Sequence, residues 1–137
     1  MRLLVIIVFC TFICPFIEAS EYTDRDLDKL LEDAIRNAVA SNIDEAESDY
    51  LEAYNRFCES NNEDKCSIVY AFLVDIYSHK GDLLNSIKFG NLLFENGCSK
   101  LCEKIRYKKI CGNKEAANSV LELNEFCNKW SYLQKDL

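Results

Sequence analysis

Beyond an apolar opening run, hydrophobic side chains recur along this chain at steps of three and four, the spacing of one helix face rather than the alternation of a strand. Leu27, Leu30, Leu31, Ala34, Ile35 and Ala38 make a first stripe, and Ala46, Tyr50, Ala53, Tyr54 and Phe57 a second. Tyr70, Leu73, Val74 and Tyr77 form the third; Leu83, Leu84, Ile87, Leu92 and Leu93 form the fourth. Leu101, Ile105 and Tyr107 mark a fifth, and Ala116, Ala117, Val120, Leu121 and Leu123 open a sixth that reaches Trp130. No proline follows Pro15, and Gly81, Gly97 and Gly112 stand where stripes end, the place where left-handed backbone favours glycine. The pattern predicts helices near 24–40, 43–59, 66–80, 82–97, 99–111 and 114–133. That is an all-α domain over residues 20–137, arranged as three antiparallel hairpins.

The opening run has a different character. Met1-Arg2 supplies a positive charge, Leu3 to Phe16 is almost unbroken apolar sequence, Pro15 interrupts it, and Ala19 places a small residue before Ser20. This order is that of a secretory signal peptide, with cleavage expected between Ala19 and Ser20. The run breaks short of the ~20 apolar residues that a membrane span needs, and no later stretch is long and apolar enough, so a soluble exported product without a membrane span is expected. The terminal Gln134-Lys135-Asp136-Leu137 lacks the Glu of an endoplasmic-reticulum retention tail. Of eight cysteines, Cys10 and Cys14 belong to the leader, leaving Cys58, Cys66, Cys98, Cys102, Cys111 and Cys127. An even number in a small exported chain implies disulfides, each adding about 2–4 kcal/mol. The spacing lacks the paired short clusters of a zinc site, so no metal is expected.

Tyr70, Leu73 and Tyr77, followed by Gly81-Asp82, resemble the first helix and turn of a tetratricopeptide repeat. Ala46, Tyr50 and Ala53 resemble the second helix of such a repeat, and a third unit would run from Leu101 through Gly112 to Cys127. Departures are plain: Val74 stands where the family has Gly, Ser86 replaces Ala, and Gly90 falls at an aromatic position. The unit spacing is uneven, with 40 residues from Ala46 to Ser86 and 31 from Ser86 to Ala117. The Cys58/Cys66 junction is similar to the cysteine-bridged junctions of secreted Sel1-like repeats. A compact helical bundle is the alternative. In the hairpin arrangement Cys58 closes the second helix and Cys66 opens the third, so a Cys58–Cys66 bond is expected. Antiparallel packing of the last hairpin would bring Cys98 and Cys102 near Cys127 and leave Cys111 at the opposite end. A Cys102–Cys111 bond along one helix would span roughly 13 Å, beyond disulfide reach. The resemblance implies a partner-binding groove that includes Ala71, Asp75 and Ser78, with Lys104 and Lys108 as a charged rim.

Charge and chemistry narrow the function. The 16 Lys and Arg against 23 Asp and Glu, a net charge of −7, argue against nucleic-acid binding. The imbalance is local: residues 20–65 hold 14 acidic and 5 basic side chains, a net −9, whereas residues 66–137 hold 8 and 10, a net +2. The densest basic run is Lys104-Ile105-Arg106-Tyr107-Lys108-Lys109, able to face an anionic partner. The sole histidine, His79, suits the end of the third helix, where a cation meets the helix dipole. Neither a nucleophile–base pair nor a glycine-rich phosphate loop occurs, so neither catalytic residues nor a cofactor are expected.

The sequence therefore predicts a secreted, disulfide-stabilised, non-enzymatic monomer that binds an extracellular protein, in the manner of venom, salivary or effector proteins. A helical hormone fits the same size and cysteine content. A helical-bundle carrier of a lipophilic molecule is the further alternative, since aromatic residues are plentiful; the cysteine spacing does not match insect odorant-binding or chemosensory proteins.

Overall fold

The computed structural model describes residues 25–60, 64–112 and 120–135. The leader 1–19, its cleavage point and Ala116-Ala117 lie outside the described residues. Within them the fold is all-helical, with no strand.

Helix α1 runs Leu27–Val39 and α2 runs Ile43–Ala53, continued by a π turn over Tyr54–Cys58. Helix α3 is Cys66–Lys80, α4 is Leu83–Asn96, α5 is Lys100–Cys111 and α6 is Leu121–Lys129, followed by a 3₁₀ turn over Ser131–Gln134. Side-chain caps start three of them. Asp26 accepts from the Lys29 N–H at 2.8 Å, Asp82 from Asn85 at 3.2 Å and Ser99 from Cys102 at 3.2 Å, each satisfying an amide that the first turn leaves free.

Helices α1 and α2 pack along one another as a hairpin, and so do α3 and α4. Their turns share one design. In the first, Ser41 is left-handed (φ 64°) and the Asn42 N–H donates to the Asn37 carbonyl at 2.9 Å. In the second, Gly81 is left-handed (φ 73°) and Asp82 donates to the Tyr77 carbonyl at 2.9 Å. Such a bond, six residues back to one, closes the helix C-terminus and reverses the chain at once. Small side chains follow at Ala46 and Ser86, both buried, where the helices of each hairpin come close.

Helices α5 and α6 form the third pair and lie against α4, with α5 also reaching α3. Gly90 makes this possible. A Cβ there would sit 2.8 Å from Ile110 Cδ1 and 2.9 Å from Phe126 Cζ, so α5 and α6 both close onto α4 at a position with no side chain. Aromatic rings fill the rest. Tyr54, Tyr77 and Phe89 meet between α2, α3 and α4, with centroids 5.2 Å and 5.7 Å from Phe89. Phe94 meets Phe126 at 5.8 Å and Trp130 at 5.2 Å in the second cluster.

Three disulfides are present. Cys58–Cys66 joins the π turn to α3 (Cα–Cα 5.6 Å), as the hairpin arrangement requires. The other two correct the sequence expectation, because Cys98 bonds Cys102 (5.9 Å) and Cys111 bonds Cys127 (5.8 Å). A last helix over 114–133 would have carried Cys127 along α5 to Cys98. Val120 is instead extended and α6 begins at Leu121, so Cys127 lies less than two turns into it and meets the end of α5. Cys98 precedes α5 and doubles back onto its first turn.

Further expectations shift. Ile35, Leu84, Leu101 and Ile105, assigned to core stripes, are exposed. Each lies to one side of its helix's buried line; in α5 that line is Tyr107 and Ile110. Gly112 ends α5 with right-handed backbone (φ −69°), and what it requires is room, since a Cβ would come 2.4 Å from the Lys108 carbonyl oxygen. His79 occupies the exposed last turn of α3.

Ion pairs stitch the acidic first hairpin. Arg25 reaches Asp49 and Glu52, each at 2.9 Å, and Asn37 Nδ2 donates to the buried Asp49 at 2.9 Å. Lys80 reaches back from α3 to Asp44 at 2.7 Å and to Glu47. The hydrogen bond from Lys29 holds the Asp33 carboxyl below its ordinary range, aided by Arg25 and Arg36, and Lys80 does the same to Asp44.

Two predictions follow from this packing and charge. Gly90→Ala gains about 1 kcal/mol of helix propensity but overpacks the crossing at a cost of roughly 1–3 kcal/mol. Urea unfolding should therefore show a net loss of about 1 kcal/mol. A carboxyl whose folded pKa is lowered stabilises the protein above its unfolded pKa, about 4, and that contribution disappears as pH falls through the folded value. The thermal midpoint followed by circular dichroism should hold from pH 7 to about 5 and decline below about 4. Asp33→Asn should lower the pH 7 midpoint and flatten the acid decline.

Candidate protein-binding face

Helix α5 is anchored on one side and open on the other. Tyr107 and Ile110 are buried against the core, and Tyr107 Oη donates to the Cys127 carbonyl at 3.2 Å. Arg106 and Lys109 both donate to Asp75 of α3, each at 2.6 Å. The Cys98–Cys102 ring secures the first turn and Cys111–Cys127 secures the last. A helix of this length, marginal in isolation, is thereby tied to α6 at its C-terminal end and to α3 along its inner side, while the Cys98–Cys102 ring holds its own first turn.

On the outer side Leu101 and Ile105 project one turn apart, flanked by the half-buried Lys104 and the exposed Lys100 and Lys108. Glu103 is the sole acidic residue of the helix. A basic and partly apolar helix face has the means to dock: its apolar residues supply burial and its lysines supply attraction to an acidic surface. Preorganisation reduces the ordering cost of binding.

The residues implied by the repeat resemblance separate here. Ala71 is buried and unavailable to a partner. Asp75 sits behind α5, engaged by Arg106 and Lys109. Ser78 Oγ donates to Ser86 Oγ at 3.4 Å and lines a small cleft of about 80 Å³ with Gly81 and Lys109. Lys104 and Lys108 do share the open face. The basic run therefore divides: Arg106 and Lys109 are structural, Lys104 and Lys108 outward. Leu101 and Ile105 were missed because they were taken for core. Their spacing held the signal, since no single helix face carries both the pair Leu101/Ile105 and the pair Tyr107/Ile110.

A larger cleft, about 390 Å³, opens between α1 and α2. Its walls include Arg25, Asp33, Asn37 and Asp49, already bonded to one another or to neighbours, and the side chains that line it are charged or polar, unlike a site for a lipophilic ligand. Among the described residues no group of three His, Cys, Asp or Glu converges as metal ligands. No helix among them is long and apolar enough to cross a membrane.

No protein-family model matches the chain, and comparison with curated proteins and with solved structures returns no significant match.

Asp75 is the pivot of the anchored side. Asp75→Ala should destabilise the protein by roughly 1–2 kcal/mol, between the values for exposed and buried ion pairs. Amide exchange in α5 should rise more than in α1, which differential hydrogen exchange will resolve.

Proposed function

We propose that this chain is a secreted, non-enzymatic helical protein that acts by binding an extracellular protein through the outer face of α5. The observation that carries this reading is the exposed Leu101/Ile105 pair among lysines, on a helix whose first turn is closed by one disulfide and whose last turn is bridged to α6 by another. The partner's chemistry follows from the face: an acidic rim around a shallow apolar groove. Three disulfides favour an oxidising compartment, and the N-terminal pattern of charge, apolar run and small residue favours export. No cleft described above favours the lipophilic-carrier alternative.

The test is expression of the full tagged chain in eukaryotic cells, followed by binding of the secreted product to an array of purified ectodomains. The product should appear in the medium beginning at Ser20 with no free thiol. It should bind a partner whose affinity falls at least about tenfold in the Leu101→Glu/Ile105→Glu variant. Retention in the cytosol with reduced cysteines, or binding indifferent to that double substitution, would refute the reading.

A further inference from the structure

A second exposed face lies on α1, and it matches the first. Asp28, Glu32, Ile35 and Val39 fall at i, i+4, i+7 and i+11, a single line along the helix, and all four are exposed. On α5, Leu101, Ile105, Lys108 and Gly112 have the same spacing and are likewise exposed. Alternating steps of four and three are the a and d positions of a heptad, the seam along which two helices interlock. Ile35 is 42%, Val39 82%, Leu101 69% and Ile105 41% exposed, large apolar areas to leave in water at seam positions.

Laid antiparallel, the two seams register throughout. Val39 falls opposite Leu101 and Ile35 opposite Ile105, which gives two apolar layers. Glu32 then falls opposite Lys108, an acid against a base, and Asp28 opposite Gly112. In the same register Arg36 approaches Lys104, a like-charge contact softened by Asp33 at 3.5 Å and by Glu32 at 2.6 Å, which Arg36 would share with Lys108 of the second copy. The wider charge pattern agrees, since the first hairpin is acidic and the exposed side of α5 is basic. Within one molecule α1 and α5 belong to the first and third helix pairs, and no substantial packing joins them.

We infer that α1 of one molecule docks antiparallel onto α5 of a second copy of the same chain, through the layers Val39/Leu101, Ile35/Ile105 and Glu32/Lys108. This rests on the reading of α5 as a docking face, but names a second copy as an occupant and α1 as the complementary surface. One helix pair is a small interface, so association is expected to be weak, with a dissociation constant on the order of 100 µM. Screening by salt should weaken it further.

Sedimentation velocity on the full secreted chain, from micromolar to millimolar concentration at low and physiological salt, tests the inference. The weight-average mass should rise with concentration and fall with added salt. Lys108→Glu should weaken association about tenfold, because it sets two carboxylates face to face. Glu32→Lys should do the same, and the double variant Glu32→Lys/Lys108→Glu should restore association by reversing the pair. Leu101→Glu should abolish association while leaving the thermal midpoint unchanged, since Leu101 is outside the core. A chain that stays monomeric throughout, or association indifferent to these substitutions, would overturn the inference. If the monomer still bound an acidic ectodomain through Leu101, self-docking alone would fall and the α5 reading would stand. Failure of both would remove the face itself.

Discussion

Helix α3 must be enclosed, and the rest of the structure is arranged to enclose it. Cys66, Val69, Tyr70, Ala71, Leu73, Val74, Ile76 and Tyr77 are all buried, covering most of its circumference. A helix apolar on nearly every side cannot remain at a surface. Helices α2, α4 and α5 pack against it from different directions, and the buried Cys66 fastens its start to the π turn. Its single carboxylate, Asp75, would be costly in that setting without partners. Arg106 and Lys109 supply them, so neutralising one charge in α3 also positions α5.

From that requirement follows the division of α5 into two sides. Once Tyr107 and Ile110 are committed inward and Arg106 and Lys109 reach to Asp75, the helix geometry sends Leu101, Ile105 and Lys108 outward. The Cys111–Cys127 bridge to α6 keeps this rotation from relaxing, since turning the helix to bury Leu101 would strain that bridge and withdraw Arg106 from Asp75. Exposure of apolar side chains here is thus a consequence of the ties that hold the helix. The first hairpin shows a parallel economy. Leu27, Leu30, Leu31 and Ala34 satisfy α1 against the core, leaving Ile35 and Val39 in water beside Asp28 and Glu32.

Gly90 shows how a misfit in a sequence pattern can carry structural information. Read against a helical-repeat motif it is a departure, since an aromatic belongs there. In the folded chain its missing side chain is what Ile110 and Phe126 close upon, which lets the third helix pair press against α4. In the last pair Val120 is extended and α6 starts only at Leu121.

Local rules determined the helical class, the four helices from Leu27 to Asn96, the glycines that end the third and fourth, and the Cys58–Cys66 bond. Each depends on periodicity, on backbone conformation at a turn, or on residues adjacent across a short loop. Tertiary structure alone decided the two remaining disulfides, the start of α6, and which apolar residues of α5 face the core. The physical reason is the same throughout: α5 carries apolar side chains on two sides. Its rotation was therefore undetermined until Asp75 on α3 and the close approach allowed by Gly90 on α4, both distant in sequence, selected the inward side.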